Sequence, residues 1–263
     1  MTPVPAPPYV TGHGLLTGKS ALLTAAAGGG IGFATARRFL EEGCRALFVS
    51  DVHSRRLEES AAKLREISGA VPVYAQLCDV TQEEQVQSLV AAAEDRLGGT
   101  DILFNNAGLG GQKRVTQMSD TEWLKVLDVS LNGTFRMTRA MLLRMEPRRR
   151  GTIINNASVL GWRAQKEQAH YAAAKAGVMA FTRCVGLEAA EYGIRVNAIS
   201  PSIAMHDFLK KTADEALLAR LSEREAFGRP AEVWEMANVA VFLASDYASY
   251  LVGEVISASS QRS

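Results

Sequence analysis

At 263 residues, with 47% hydrophobic residues, the chain has the length and apolar content for one α/β domain with a sizeable core. Its 29 basic and 28 acidic residues leave a formal charge of +1, which implies no general attraction to nucleic acid or to an anionic membrane. The three cysteines, Cys44, Cys78 and Cys184, are odd in number and lack metal-ligand spacing, so a reduced cytoplasmic protein without a metal site is expected.

Residues 1–14 open with MTPVPAPPYV, in which prolines disfavour helix and sheet, and they read as a flexible arm without the charged and apolar regions of a signal peptide. Lys19–Thr24 then reads as a short buried strand, followed by the glycine-rich AAAGGGIG and an apolar-periodic helix, Phe33–Leu40. The uncharged run Ser20–Ala36 contains four glycines and is too short to span a bilayer comfortably. Strand Ala46–Ser50, helix Ser54–Ile67, strand Val71–Leu77 and helix Glu83–Arg96 follow, the last with a capping box expected from Thr81 and Glu84. Strand Asp101–Asn105 precedes one long helical region, Glu122–Arg144. Strand Thr152–Asn156, helix Tyr171–Tyr192 and strand Arg195–Ile199 continue the alternation. It is interrupted around residues 203–229, where Phe208–Leu221 is amphipathic, and a helix near Trp234–Leu243 comes last. Short β-rich runs alternating with helices predict a single Rossmann-like, doubly wound parallel sheet with helices on both faces.

Two clusters carry chemistry. Strand, glycine turn and helix form a phosphate-cradling arrangement: glycines at positions 28, 29, 30 and 32 let a backbone approach a pyrophosphate, and the helix N-terminus offers its N–H groups and positive dipole end. A flexible loop is the bland alternative. Asp51 stands about 20 residues beyond the turn at the end of a strand, the spacing of a ribose-binding carboxylate. A carboxylate there repels a 2′-phosphate, so NAD is preferred over NADP; Arg55 and Arg56 keep NADP open, though they read better as a solvated helix face. In the second cluster, Tyr171 and Lys175 lie four apart in YAAAK, on one helix face, with Ser158 thirteen residues before the tyrosine. An ammonium beneath a phenol favours phenolate, which is expected to lower the Tyr171 pKa toward neutral and make it a proton handler.

These motifs together resemble the short-chain dehydrogenase/reductase family from about Leu15 to Val255. The matching segments are the glycine turn, Asp79–Val80, Asn105–Gly108 (NNAG), Ser158 with YAAAK, and Asn197–Pro201 (NAISP). The resemblance implies that Ala26, Gly28, Gly30, Ile31, Gly32 and Asp51 hold the dinucleotide. Asp79 and Val80 would then meet adenine, and Asn106, Ala107, Gly108 and Pro201 would border the cofactor. It further implies Tyr171 as catalytic acid/base, Lys175 on the nicotinamide ribose and Ser158 on the substrate oxygen. Trp162 and Gln165, Ser202, and Phe208 of a lid would meet substrate, although each reads equally well as packing or exposed loop. Lys113, Arg114, Arg163, Lys166, Lys210 and Lys211 could form a positive rim for coenzyme A phosphates, against the plainer reading of scattered solvated charges.

The chain also departs from the family pattern. Ala26 replaces the first glycine of the turn, which is tolerable if its φ stays negative. Ser130 stands where the family has a catalytic asparagine and is expected among the catalytic residues, serving a modified proton relay unless the relay runs differently; Asn132 is about 200° away on the helix. Pro201 is followed by Ser202 and not by glycine, and the usual C-terminal Asp-Gly-Gly is absent. TAAAGGGIGFATARR, NNASVLGWRAQ and ISPSIA resemble an actinobacterial branch linked to steroid breakdown, whose members act on hydroxylated bicyclic remnants carried as CoA thioesters. The expectation is therefore an NAD(H)-dependent alcohol–ketone oxidoreductase acting on such a CoA-bound or free small molecule, assembled as a homotetramer or homodimer. The alternatives are a 3-oxoacyl-ACP/CoA reductase and a non-catalytic nucleotide-binding regulatory protein. A serine hydrolase is disfavoured, because Ser158 does not sit in a G-x-S-x-G elbow.

Overall fold

The computed structural model describes residues 3–206, 209 and 215–260. Seven parallel strands form one sheet in the order β3-β2-β1-β4-β5-β6-β9. They are β1 (Ser20–Leu23), β2 (Ala46–Asp51), β3 (Val73–Leu77), β4 (Ile102–Asn105), β5 (Gly151–Asn156), β6 (Ile194–Pro201) and β9 (Val255–Ala258). The chain builds outward from β1 to β3, then crosses back to place β4 on the other side of β1, with Leu22 opposite both Phe48 and Leu103. That reversal opens a crevice beyond the carboxyl ends of β1 and β4, where such sheets bind ligands.

Alternation along the central strands fixes the two layers, because successive side chains point to opposite faces. Leu23, Leu47, Val49, Phe104 and Ile154 join one apolar cluster with α1 (Ile31–Glu41), α2 (Ser54–Ser68) and α8 (Val233–Ala244). Leu22, Phe48, Leu103 and Ile153 join the other, with α3 (Glu83–Leu97), α5 (Gly133–Met145) and α6 (Ala169–Ala190). Both faces are covered, so the strands read as continuous apolar runs.

Several elements differ from the sequence reading. The long helical region divides into α4 (Asp120–Leu127), a π-helical turn Asp128–Asn132, and α5. A Cβ on Gly133 would stand 2.6 Å from Val80 Cγ2, so only glycine lets the π turn close against the loop after β3. Thr81 does not form a capping box: Gln82 is the cap residue of α3, and the Thr81 hydroxyl donates to Asp79 Oδ1 at 2.8 Å. Asp79 takes that bond because it lies two residues away in the same turn. A capping box appears instead at α4, between Ser119 and Glu122. Strand β9 has no counterpart in the sequence reading; it pairs with β6 at the sheet edge.

Residues 3–14, expected to be a flexible arm, have no regular structure but are tied to the body. Val4 N–H donates to the Phe227 carbonyl at 2.9 Å, the Tyr9 hydroxyl donates to Glu41 at 2.6 Å, and His13 N–H donates to Glu42 at 2.9 Å. Glu42 is buried and paired with Arg38, which also donates to the Val10 carbonyl. Two short strands, β7 (Ala204–Met205) and β8 (Ala231–Glu232), bracket the segment containing α7 (Glu215–Glu223). Among the described residues no helix is long and apolar enough to cross a membrane.

Candidate active site

The glycine turn leaves β1 through Thr24, whose hydroxyl oxygen accepts from the N–H groups of Asn106 and Ala107 at 3.0 and 3.2 Å. This ties the two loops bordering the crevice together. Ala26 N–H donates to the Ser50 carbonyl, and Ala26 is fully buried without a positive φ. The left-handed residue is its neighbour Ala25, at φ +48, which the sequence did not single out. Gly28 has φ +80 and donates its N–H to Ser60 Oγ at 2.9 Å. Around Gly28, Gly29 and Gly30 a Cβ would meet nothing within 4 Å, so the turn faces open space. Gly32 is the opposite case. A Cβ there would lie 2.3 Å from the Ala25 carbonyl oxygen and 2.5 Å from Asn106 Nδ2. It is the position at which α1 packs against the turn and the NNAG loop.

Gly30 caps α1 without a side-chain hydrogen bond, and Ile31 and Gly32 begin the helix. Asp51, at the end of β2, is 8% exposed and accepts from Ala27 N–H at 3.1 Å and His53 N–H at 3.0 Å. Burial pushes its carboxyl up, partly offset by the Ala27 bond and the nearby Arg56 charge. Arg55 is exposed and pairs loosely with Glu59 at 3.9 Å. An open glycine turn, a helix start without a side-chain cap and a carboxylate at the next strand end fit a dinucleotide. Val80 is buried against Gly133, Asp79 is held by Thr81, and Pro201 ends β6 in the same row of strand termini.

Ser158, Tyr171 and Lys175 come together beside this crevice. Ser158 follows β5 in extended conformation, its Oγ accepting from Leu160 N–H at 3.2 Å and sharing a hydrogen bond with the Tyr171 hydroxyl. Tyr171 and Lys175 lie in the first turns of α6, with Nζ 5.6 Å from the phenol ring centroid. Lys175 is 2% exposed and donates to the Asn156 carbonyl at 2.5 Å. Burial lowers its pKa to about 8. The expectation of a lowered Tyr171 pKa is not met: burial raises it, and the Ser158 bond offsets only part of that. Desolvation of the phenolate outweighs an ammonium that is itself desolvated and turned toward a carbonyl.

Ser130 is fully buried in the π turn, and its hydroxyl is engaged with the loop after β4. It accepts from Leu109 N–H at 2.9 Å and donates to the Leu109 carbonyl at 3.2 Å. Asn132 is exposed, its amide donating to Asp128 at 3.1 Å. A Cβ on Gly108 would stand 3.2 Å from Lys175 Nζ and 3.7 Å from Ser130 Oγ, so a side chain there would crowd the ammonium.

A cavity of about 490 Å³ adjoins Ser158 and Tyr171. Gln165 and Ser202 line it, whereas Trp162 does not and is 51% exposed. Val159 and Leu160 of the preceding 3₁₀ turn, Val159–Gly161, line the cavity in its place. Phe208, Lys210 and Lys211 lie outside the described residues. Ser202 Oγ is buried without a hydrogen-bond partner among the described residues. Arg163 of the anticipated positive rim lines the cavity; Lys113 instead pairs with Glu122 at 3.2 Å. Sequence reading missed Asn156, which holds Lys175 and whose amide donates to Asn106 Oδ1 at 2.8 Å, and Arg224, which also lines the cavity. The signal for Asn156 is a polar pair ending the otherwise apolar strand TIINN. Arg224 carries none.

Comparison with known proteins agrees over nearly the whole chain. Residues 25–260 match the family described as enoyl-(acyl carrier protein) reductase. A Mycobacterium tuberculosis protein named (5R,7aS)-5-hydroxy-7a-methyl-1-oxo-2,3,5,6,7,7a-hexahydro-1H-indene-carboxyl-CoA reductase is 59% identical over 258 residues, 97% of each chain. The crystal structure of a short chain dehydrogenase from Mycobacterium smegmatis superposes with a TM-score of 0.88 at 51% identity, covering 98% of this chain and 99% of that one. NAD+-bound xylitol dehydrogenase gives 0.87 at 30% identity, covering 93% and 99%.

Proposed function

The chain belongs to the short-chain dehydrogenase/reductase family and is an oxidoreductase of CH–OH groups with a nicotinamide-binding fold, and from that premise we propose that it interconverts a secondary alcohol and a ketone on a bicyclic CoA thioester with NAD(H). The observation that carries this reading is the meeting of Ser158 and Tyr171 at one cavity, with Lys175 Nζ 5.6 Å from the Tyr171 ring centroid. The relative at 59% identity, whose name describes a hydroxy-indene-carboxyl-CoA substrate, supports the substrate class.

A bound nicotinamide supplies or accepts the hydride. Ser158 Oγ and the Tyr171 hydroxyl hold the substrate oxygen, and Tyr171 exchanges the proton with it. A phenol whose pKa burial keeps high retains its proton at neutral pH, which suits donation to a carbonyl oxygen. Lys175, held by the Asn156 carbonyl, would bind the nicotinamide ribose. The glycine turn and the α1 N-terminus take the pyrophosphate, and Asp51 the adenosine ribose. Asp79 and Val80 border the adenine, and Asn106, Ala107, Gly108 and Pro201 line the cofactor crevice. Ser130 acts by fixing the loop at Leu109 through its two bonds to that backbone. Gln165 and Ser202 face the substrate. Exposed Leu143 and Leu187 on α5 and α6 support self-association through those helices.

Steady-state turnover on a panel of free and CoA-bound bicyclic and short-chain β-hydroxyacyl substrates, with NAD and NADP, tests the reading. Preference for bicyclic thioesters with NAD is expected, and absence of turnover with every thioester would overturn it. In the same assay Asp51→Ala should reduce kcat/KM for NAD by about tenfold or more while changing NADP little, since it removes bonds to the 2′-hydroxyl and a repulsion of the 2′-phosphate. An unchanged cofactor ratio would reject the role of Asp51.

A further inference from the structure

The cavity beside Ser158 and Tyr171 is lined by two guanidinium groups, Arg163 and Arg224, and by no Asp or Glu among the described residues. Two cationic residues, one on the turn after Ser158 and one just past α7, thus belong to the lining of a single cavity. Both backbones are fixed. Arg163 closes the 3₁₀ turn after Ser158, its N–H donating to the Val159 carbonyl at 2.9 Å. Arg224 follows α7 directly, with its N–H on the Leu221 carbonyl at 3.2 Å. The next residue, Glu225, is buried and accepts from Ser260 N–H at 3.2 Å and Ser260 Oγ at 2.8 Å, while Ala226 N–H donates to the Ser260 carbonyl at 2.8 Å. The arginine is therefore anchored between a helix end and a clasp to the C-terminal segment, and its position does not depend on a free loop.

Such a pair selects for an oxyanion, since guanidinium groups bind phosphate and carboxylate through paired, charge-assisted hydrogen bonds. We infer that Arg224, together with Arg163, is a specificity residue that binds an oxyanion of the substrate. The reacting oxygen itself is taken by Ser158 and Tyr171. This rests on the alcohol–ketone reading above for the identity of the ligand, and two forms of such a ligand carry the chemistry: the CoA thioester through the phosphates of its arm, or the free bicyclic acid through the ring carboxylate that the thioester lacks.

Calorimetric titration of the full chain separates this inference from turnover. The probes are free CoA, pantetheine (the same arm without phosphates) and an indane carboxylate, each titrated into wild type, Arg224→Gln and Arg224→Lys. Arg224→Gln should weaken one of the two anions about tenfold, equivalent to about 1.4 kcal/mol, and pantetheine by less than twofold; Arg224→Lys, which keeps the charge but not the paired hydrogen bonds, should fall between wild type and Arg224→Gln. A loss confined to CoA assigns the phosphates, and a loss confined to the indane carboxylate assigns the ring carboxyl. Equal loss for all three probes, no loss for any, or no binding of either anion by wild type overturns the inference. Anion binding that follows the expected pattern without thioester turnover would instead defeat the proposed function. Arg224 is exposed, so thermal unfolding of both variants should match wild type.

Discussion

At the inner wall of the cleft, Lys175 is almost fully buried and held by a backbone carbonyl, Asn156 is bridged to Asn106, and Thr24 ties two loops through one hydroxyl. At its mouth, Trp162 and Arg224 are exposed, and the walls come from a single 3₁₀ turn and the end of α7. The inner wall is thus specified by interlocking backbone and polar contacts that tolerate few residue types. The mouth is specified by which side chains happen to project, so its chemistry can change without disturbing the sheet. A fold shared by enzymes with different substrates needs that division.

Three substitutions probe the inner wall, from the largest expected effect to the smallest. Tyr171→Phe removes the proton handler, and kcat should fall by about 10³-fold, within the range for general acid–base catalysis. NADH affinity, read by fluorescence titration, should stay near wild type; near-normal turnover would remove Tyr171 from the mechanism. Gly32→Ala forces a methyl against the Ala25 carbonyl and the Asn106 amide, and overpacking of this kind costs about 1–3 kcal/mol. Denaturant unfolding should show that loss together with weakened cofactor binding. An Ala variant of full stability would mean that α1 can slide away from the turn, and the inner wall would be no more exacting than the mouth.

Lys175 gives the smallest and most specific effect. Its pKa of about 8 lies below the ordinary 10.5, so between those values the unfolded chain holds more protons than the folded one. The contribution of this group to stability therefore rises with pH through that window and is flat below it. The difference in unfolding free energy between wild type and Lys175→Met should shift by about 1 kcal/mol or more in favour of wild type between about pH 7.5 and 9.5. Taking the difference cancels the opposing contributions of Cys44 and Cys78, whose thiols burial pushes up to about 12 and about 11. A pH-independent difference would mean that the ammonium is solvated.

Much of this molecule could be read from local pattern. The strand–turn–helix at Ser20–Glu41, the carboxylate ending β2 and the i, i+4 pair on α6 each depend on spacing within one or two elements, which sequence displays directly. The parallel sheet follows from alternating short apolar runs and amphipathic helices. Other features required distant segments to meet. Strand β9 is recognisable only by its pairing with β6, and the π turn at Ser130 only by the approach of Gly133 to Val80. Thr81 found Asp79 closer than the helix start. The residues that hold Lys175 and line the adjoining cavity, Asn156 and Arg224 respectively, lie 19 and 49 positions from Lys175 in the chain. Desolvation, which sets the Tyr171 and Lys175 pKa values, is likewise a property of everything packed around a group and not of its neighbours in sequence. Sequence by itself determined the sheet, the glycine turn and the shared helix face of Tyr171 and Lys175, because covalent spacing and periodicity fix them. Tertiary packing alone decided the pKa directions of Tyr171 and Lys175 and which residues line the adjoining cavity, because both depend on which remote groups exclude or replace water.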